Sequence, residues 1–320
     1  MNSSDSYLSK MALSTPWRIT FVTNPSLCNL HCDMCRVHSR FAAKGRQNEP
    51  VLDFAIIERT IRELVPLGLR EVIPSTMGEP FLYPDFLRFI ELCAQTKVFL
   101  NITTNGTFPN GGVEFWTPLI LPVVSDIKFS LLSLNHARNN QLLGGIDSQT
   151  QRQNILAYLE QRKRYMEQGK TCGTVSLQVT RMQTNAKEID AIQAWASEVG
   201  IDRVKVNNIR IHFSAMQHEA MQTDLSRHDG ECPFLGKEVW ILADGRVAPC
   251  PHPAAWDGAL GMLGNIGDKE CLPAQTLAEV WNAEPFRRVV CNGMKNLLCQ
   301  TCGFRQDRIS PQEPHTSDIG

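Results

Sequence analysis

No stretch of this chain approaches the roughly 18 consecutive apolar residues that a membrane-spanning helix needs, so no span is expected. The N-terminus, Met1-Asn2-Ser3-Ser4-Asp5, lacks the basic segment and apolar run of a secretory signal. Neither sign of charge is in excess: 32 Lys and Arg face 33 Asp and Glu, a formal net charge of −1. That leaves no electrostatic case for a nucleic acid or a membrane surface as partner, and neither is expected. Internal repeats and low-complexity tracts are absent as well. What the chain does have is cysteine, eleven in 320 residues. Without a secretory signal, so many thiols point to a reducing compartment and to metal ligation. The chain is therefore expected to be cytoplasmic.

The length suits one large domain and a small one. From Trp17 to about Asn208 strand-like and helix-like patterns alternate. Strands are expected over 18–23, 71–74, 98–103, 126–131, 174–181 and 203–207, where β-branched or alternating apolar residues run. Helices are expected over 54–65, 85–95, 149–167 and 188–199, where apolar residues recur at helical spacing, as Ile56, Ile57, Ile61 and Leu64 do. Six such units imply an α/β fold with parallel strands joined by right-handed crossovers. A closed eight-unit barrel takes roughly 250 residues, and this region is shorter, so an incomplete barrel is expected. Functional residues should then lie at the C-terminal ends of the strands.

The expected boundaries are an N-terminal extension over 1–16, a barrel core over 17–217, a polar linker over 218–230, a cysteine-bearing second domain over 231–306 and a mobile tail over 307–320. In the second domain, 238–242 and 246–248 read as a hairpin around Ala243-Asp244-Gly245, and 277–281 as one or two helical turns.

Cys28, Cys32 and Cys35 stand as C-x3-C-x2-C just after the first expected strand. Three thiolates on one short loop can hold three irons of a 4Fe–4S cube. Electron-transfer cubes commonly have four cysteines, so this set leaves one iron open to a substrate or cofactor. The spacing resembles that of the radical S-adenosylmethionine (radical SAM) superfamily. The resemblance implies that SAM fills the open iron site and that the core is a partial (β/α)6 radical SAM barrel. It extends to Met77-Gly78-Glu79-Pro80 after the second strand, similar to the family's GGEP motif with Met in place of the first glycine. Gly78, Glu79 and Pro80 are then expected to bind the SAM ammonium group, for which a carboxylate and exposed carbonyls are suited.

Thr104, Asn105 and Gly106 resemble the family's turn near the adenosine, although an Asn-Gly turn reads equally well as a turn alone. Met34, between the second and third cysteines, offers soft apolar surface near the adenine. Ser130, Gln178 and Arg181 occupy strand-end positions where the family contacts ribose and carboxylate. His31, inside the loop, reads as a solvated or supporting histidine rather than a ligand.

A second set follows. Cys232 and Cys250 are related as C-x12-G-x4-C through Gly245, and Cys299 and Cys302 form C-x2-C. This resembles the SPASM/twitch extension of radical SAM enzymes, a small α+β auxiliary iron–sulfur domain. It is closest to the shorter twitch form, because Arg308 stands where a full SPASM domain continues with cysteine. Four thiolates suffice for one fully ligated auxiliary 4Fe–4S cluster; a structural zinc ion is the competing reading. Cys93, Cys172, Cys271 and Cys291 remain. Cys93 sits among Phe89, Ile90 and Leu92 and is expected in the core. The other three are bystanders or, in an epimerase, hydrogen donors.

The resemblance implies reductive cleavage of SAM to a 5′-deoxyadenosyl radical that removes a substrate hydrogen, with an external one-electron donor such as flavodoxin or ferredoxin as partner. The auxiliary cluster makes oxidation of the substrate radical the first expectation. Only 27 residues precede Cys28, too few for the leader-binding domain of many peptide-modifying relatives, which favours a small polar metabolite, or a peptide delivered by a separate protein. Arg210 and His212, just past the sixth strand, are candidates to take or steer a proton. The alternatives are a peptide maturase making cross-links or epimers, and a non-catalytic zinc or electron-carrier protein.

Overall fold

The computed structural model describes residues 13–42, 48–75, 77–208, 232–267, 275–292, 295–302 and 304. Among the described residues eight strands lie in one sheet, in the order β6-β5-β4-β3-β2-β1-β7-β8. They are β1 (Arg18–Phe21), β2 (Glu71–Pro74), β3 (Phe99–Thr104), β4 (Val124–Ser130), β5 (Thr174–Arg181), β6 (Arg203–Asn208), β7 (Glu238–Ile241) and β8 (Val247–Ala248). All neighbours pair in parallel except β7 and β8. Each of the first five strands is followed by helix: α1 (Phe54–Leu64), α2 (Phe86–Thr96), α3 (Gly112–Ile120), the pair α4 (His136–Leu143) and α5 (Ser148–Glu167), and α6 (Ile189–Val199). This is the strand–helix alternation of a partial barrel, as the sequence pattern implies.

The two faces of the sheet differ because strand side chains alternate. Ile19, Val72, Leu100, Ile127, Val175 and Val239 are fully buried in the main apolar core, together with Phe54, Ile57, Ile61 and Leu64 of α1. Each such side chain contributes about 1.5–3 kcal/mol on burial. The opposite face, turned from the helices, is the barrel interior, and its lower end is polar. Arg18 donates to Glu71 at 3.0 Å and to Glu238 at 2.6 Å, and Asn101 donates to Glu71 at 3.1 Å. Lys128 pairs with Asp126 at 2.9 Å, and Ser176 donates to Asp126 at 2.8 Å. With a further bond from Lys128 to Asn101, these tie β7, β1, β2, β3, β4 and β5 together at the end opposite the cysteine loop.

Two core helices escape the sequence pattern. The start of α3 at Gly111-Gly112 and its internal Pro118 read as loop, yet Val113, Trp116, Thr117 and Ile120 recur at helical spacing and are buried. The sequence of α4, HARNNQLL, is polar, so periodicity is faint; Asn135 caps it by accepting from the Arg138 N–H at 3.0 Å.

The second domain forms α7 (Pro253–Trp256), α8 (Leu277–Asn282), α9 (Glu284–Asn292) and α10 (Leu297–Gln300) around the β7–β8 hairpin. Of these only α8 was anticipated. The hairpin is where the sequence puts it, but it is not set apart from the barrel. β7 pairs in parallel with β1, from Arg18↔Glu238 to Phe21↔Ile241, and so covers what would otherwise be an unpaired sheet edge. The linker expected over 218–230, the tail over 307–320, Cys271, and the proton-handling candidates Arg210 and His212 lie outside the described residues. Among the described residues no helix is long and apolar enough to cross a membrane.

Candidate active site

Because the strands are parallel, their C-terminal ends share one edge of the sheet, and the motifs singled out by sequence gather there. β1 leads through Thr23 and Asn24 into the loop bearing Cys28, Cys32 and Cys35. This loop has no regular structure of its own; its neighbours shape it. The His31 N–H donates to the Gly144 carbonyl at 2.8 Å, and the Asp33 N–H to Leu142 at 2.9 Å, both at the C-terminal end of α4. Gly144 has φ +44°, and a Cβ there would stand 2.5 Å from the His31 carbonyl oxygen, so the approach requires glycine. His31 Nδ1 lies 3.3 Å from the His38 carbonyl, consistent with a supporting role.

Met34 packs with Cys28 and Cys32 against Leu30, Leu132, Leu142, Leu143, Ile146 and Met182, an apolar bed for the loop. Burial pushes the Cys28 thiol up to about 12 and raises that of Cys32, and the negative charge of neighbouring thiolates adds to both. Thiols raised in this way do not ionise without cations beside them. The donor set therefore fits an iron–sulfur cluster.

The loop after β2 is locked to the cysteine loop. The Glu79 N–H donates to the Leu27 carbonyl at 2.9 Å, and Asn24 Nδ2 donates to the Glu79 carbonyl at 2.9 Å and to Leu27 at 3.2 Å. A Cβ on Gly78 would stand 2.0 Å from the Asn24 carbonyl oxygen and 2.6 Å from that of Leu27. Gly78 is thus required by the cysteine loop itself, and Met77, which stands where the motif has its first glycine, is half-buried.

Glu79 is 2% exposed. One carboxylate oxygen accepts from the Thr104 hydroxyl at 2.7 Å, the other from the Asn105 N–H at 2.9 Å. Burial pushes its carboxyl up to about 7, and those same hydrogen bonds pull the other way. As placed, its side chain joins the β2 and β3 loops. Pro80 begins a short 3-10 turn that Glu79 caps.

Asn105 continues the joint. Its Nδ2 donates to Asn29 in the cysteine loop at 2.9 Å. Its carbonyl accepts from Gln151 of α5 at 2.6 Å, and Gln151 also donates to the Ser130 carbonyl at 2.8 Å. Asn139 of α4 donates to Gln151 at 2.9 Å and accepts from the N–H groups of Leu132 and Ser133 at 3.1 and 3.2 Å. Asn185 donates to the carbonyls of Leu132 and Thr180 at 2.9 and 3.0 Å. These buried amides staple the loops after β2, β3, β4 and β5 into one rim. Sequence reasoning missed Asn24, Asn29, Gln151, Asn139 and Asn185, since nothing local distinguishes a bridging amide from an exposed one.

Ser130 ends β4 directly opposite Gln178 on β5. Arg181 ends β5, and its Nε is buried with no hydrogen-bond acceptor among the described residues. Ser130, Gln178 and Arg181 thus stand at the same edge as the cysteine loop.

The second cysteine set also converges. Cys232, Cys250, Cys299 and Cys302 line one pocket with Phe234, Leu235, His252, Leu260, Leu298 and Phe304. Burial raises the Cys250 thiol, with Cys232, Cys299 and Cys302 adding to the shift. Asn296 caps α10, accepting from the Leu298 N–H at 2.9 Å, which sets the turn from Cys299 to Cys302. Among the described residues no three His, Cys, Asp or Glu side chains meet at the spacing of a single metal ion. Four thiols in an apolar pocket fit a fully ligated cluster.

Of the remaining cysteines, Cys93 is fully buried in the core. Cys172 is half-buried just before the start of β5, at the edge opposite the cysteine loop. Cys291 lies on α9.

Residues 25–164 match the radical SAM superfamily, and residues 232–303 match the SPASM iron–sulfur cluster-binding domain. The chain is 27% identical over 248 residues to a GTP 3′,8-cyclase of Haemophilus ducreyi, a match spanning 74% of this chain and 66% of the cyclase, just under two thirds of its length. It is 24% identical over 320 aligned positions to the tungsten-containing aldehyde ferredoxin oxidoreductase cofactor-modifying protein of Pyrococcus furiosus, spanning 88% of this chain and 85% of that protein. In fold it is similar to Streptococcus suis SuiB bound to its precursor peptide SuiA, with a TM-score of 0.63 at 18% identity over 95% of this chain and 73% of that one.

Proposed function

The chain is a radical SAM protein with a C-terminal SPASM-type iron–sulfur domain, and from that premise we propose that it is an oxidoreductase acting on a small polar metabolite. Cys28, Cys32 and Cys35 hold the SAM-binding 4Fe–4S cluster, and Cys232, Cys250, Cys299 and Cys302 hold the auxiliary one. When bound, the first cluster supplies the electron that splits SAM into methionine and a 5′-deoxyadenosyl radical, and the auxiliary cluster supplies a one-electron acceptor.

The protein's part is positioning. The amide rim fixes the loops that would hold SAM, so that binding would need little rearrangement of them. The buried Arg181 Nε, without an acceptor of its own, is suited to the SAM carboxylate. The inner face of β3–β6, with Thr103, Ser130, Gln178, Thr180 and Asn207 at its upper end, suits a hydrogen-bonding substrate. An external one-electron carrier such as flavodoxin or ferredoxin is the proposed reductant.

The observation that carries the oxidative reading is the position of the auxiliary site. Cys250 packs with Val22 of the β1 extension and Trp240 of β7, and these stand on the face of the sheet that forms the barrel interior. A four-thiolate acceptor on the substrate's side of the sheet favours removal of an electron from the substrate radical. Cys172, at the far edge, is unsuited to return a hydrogen to that radical.

Three measurements test this reading. Anaerobically reconstituted protein is expected to carry about eight irons, falling to about four when Cys28, Cys32 and Cys35 are all replaced by Ala. With Cys299 and Cys302 replaced by Ala, SAM cleavage should persist while product formation stops. In deuterated water the product should be two mass units lighter than the substrate and carry no deuterium. A product of unchanged composition that has gained one deuterium would instead establish epimerisation and overturn the oxidative reading.

A further inference from the structure

We infer that Trp240 and Phe234 form the wall between the auxiliary cluster and the barrel interior, and that this wall holds the cluster's reduction potential down by keeping water from it. The inference rests on the iron–sulfur assignment of the four cysteines, and not on the direction of the reaction.

Trp240 lies between Glu238 and Leu242 in sequence and shares their face of β7. Glu238 on that face is bonded to Arg18 in the polar floor of the barrel. Ile241 and Val239 on the other face belong to the core under the helices. Trp240 is only 4% exposed and packs with Val22, Leu242, Ala248, Cys250 and Ala255. Its ring meets Phe234 edge to face at 5.2 Å, and Phe234 meets Phe304 in the same way at 5.1 Å. Phe234 and Phe304 line the pocket of the four cysteines. On this line, then, one aromatic layer separates the thiols from an interior whose other residues are mainly charged or polar.

The physical consequence follows from charge. A four-thiolate cluster carries one more negative charge when reduced than when oxidised. Water stabilises the more highly charged form, so admitting water raises the potential, and an apolar wall lowers it. Trp is suited to the task because it is large, rigid and held on both sides. A Trp240→Ala change opens space from the interior directly toward Phe234, whereas Trp240→Phe keeps an aromatic ring in place.

The test uses fully loaded, full-length protein without substrate, titrated with reductant and followed by electron paramagnetic resonance. In Trp240→Ala the auxiliary cluster is expected to reduce at a higher potential than in the parent, with the SAM-binding cluster unmoved and iron still about eight per chain. Trp240→Phe should return most of the shift. An unmoved auxiliary potential in Trp240→Ala, or equal movement of both clusters, would overturn the inference. Should Trp240→Ala lose auxiliary iron, Phe234→Leu, which keeps the pocket apolar but thins the wall, decides: a raised potential upholds the inference and an unchanged one ends it. If the parent itself shows no second cluster signal, the iron–sulfur assignment fails, and the inference with it; that result is distinct because it appears before any substitution.

Discussion

Gly78→Ala is expected to cost the protein its SAM-binding cluster and with it all cleavage of SAM. The added methyl would stand 2.0 Å from the carbonyl oxygen of Asn24 and 2.6 Å from that of Leu27. Both are backbone atoms of the cysteine loop, pinned by the Asn24 side chain and the Glu79 N–H. No flexible side chain is there to give way, so the loop itself must move. Overpacking of this kind costs typically 1–3 kcal/mol in a well-packed core, and here the strain falls on the loop that carries Cys28, Cys32 and Cys35. Iron should drop from about eight to about four per chain, while circular dichroism stays close to the parent because the clash is confined to one loop. A Gly78→Ala protein with full iron and undiminished 5′-deoxyadenosine formation would show that the two loops are not locked as described.

The second large effect is a dependence of stability on pH that runs through one carboxyl group. Glu79 is pushed from 4.5 up to about 7 by burial, despite the bonds from Asn105 and Thr104 that favour its charged form. Below the lower value the group is protonated in both folded and unfolded chains. Between the two, the unfolded chain has released the proton that the folded chain retains. The unfolded chain then binds fewer protons, so stability falls as pH rises through this window, by about 3 kcal/mol in total, and is level above it.

Cys28, Cys32 and Cys250 do not obscure this: burial raises them from 9.0, so they remain protonated throughout. His38, which burial holds below its ordinary value, gives a slope of opposite sign, but it is common to parent and variant. In Glu79→Gln the amide accepts from Asn105, and the Thr104 hydroxyl turns to accept from its NH2 group. The difference between parent and Glu79→Gln in urea denaturation of cluster-free protein, taken between about pH 5 and 8, should therefore shrink and then favour the variant as pH rises. Parallel curves would mean that Glu79 titrates as an ordinary carboxylate.

Much of the architecture could be read along the chain. The six parallel strands, α1, α2, α5 and α6, and the β7–β8 hairpin follow from apolar periodicity and turn residues, which are local properties. The helices that periodicity missed have local signals that conflict with their burial. Pro118 and paired glycines argue against α3, and it exists because Trp116 and Ile120 fill the core. α4 is polar even where it is buried, since its Asn139 serves the backbone of the β4 loop.

The site divides in the same way. The spacing of Cys28, Cys32 and Cys35, the Gly78-Glu79-Pro80 run after β2 and the spacing of the second cysteine set were legible in the sequence, because ligand geometry on one loop constrains residues a few positions apart. What only the tertiary structure decided is which residues hold those cysteines in place and where the two cysteine sets lie. Gly78 answers to the carbonyls of residues some fifty positions earlier, and Gln151 bridges loops after two different strands. β7 joins the barrel edge through bonds to a strand more than two hundred residues away, which brings Cys250 and Trp240 to the barrel's inner face. The reason is physical. Ligand types and local periods are written residue by residue, whereas close approach, buried hydrogen bonding and edge pairing depend on where the folded chain brings distant backbone together.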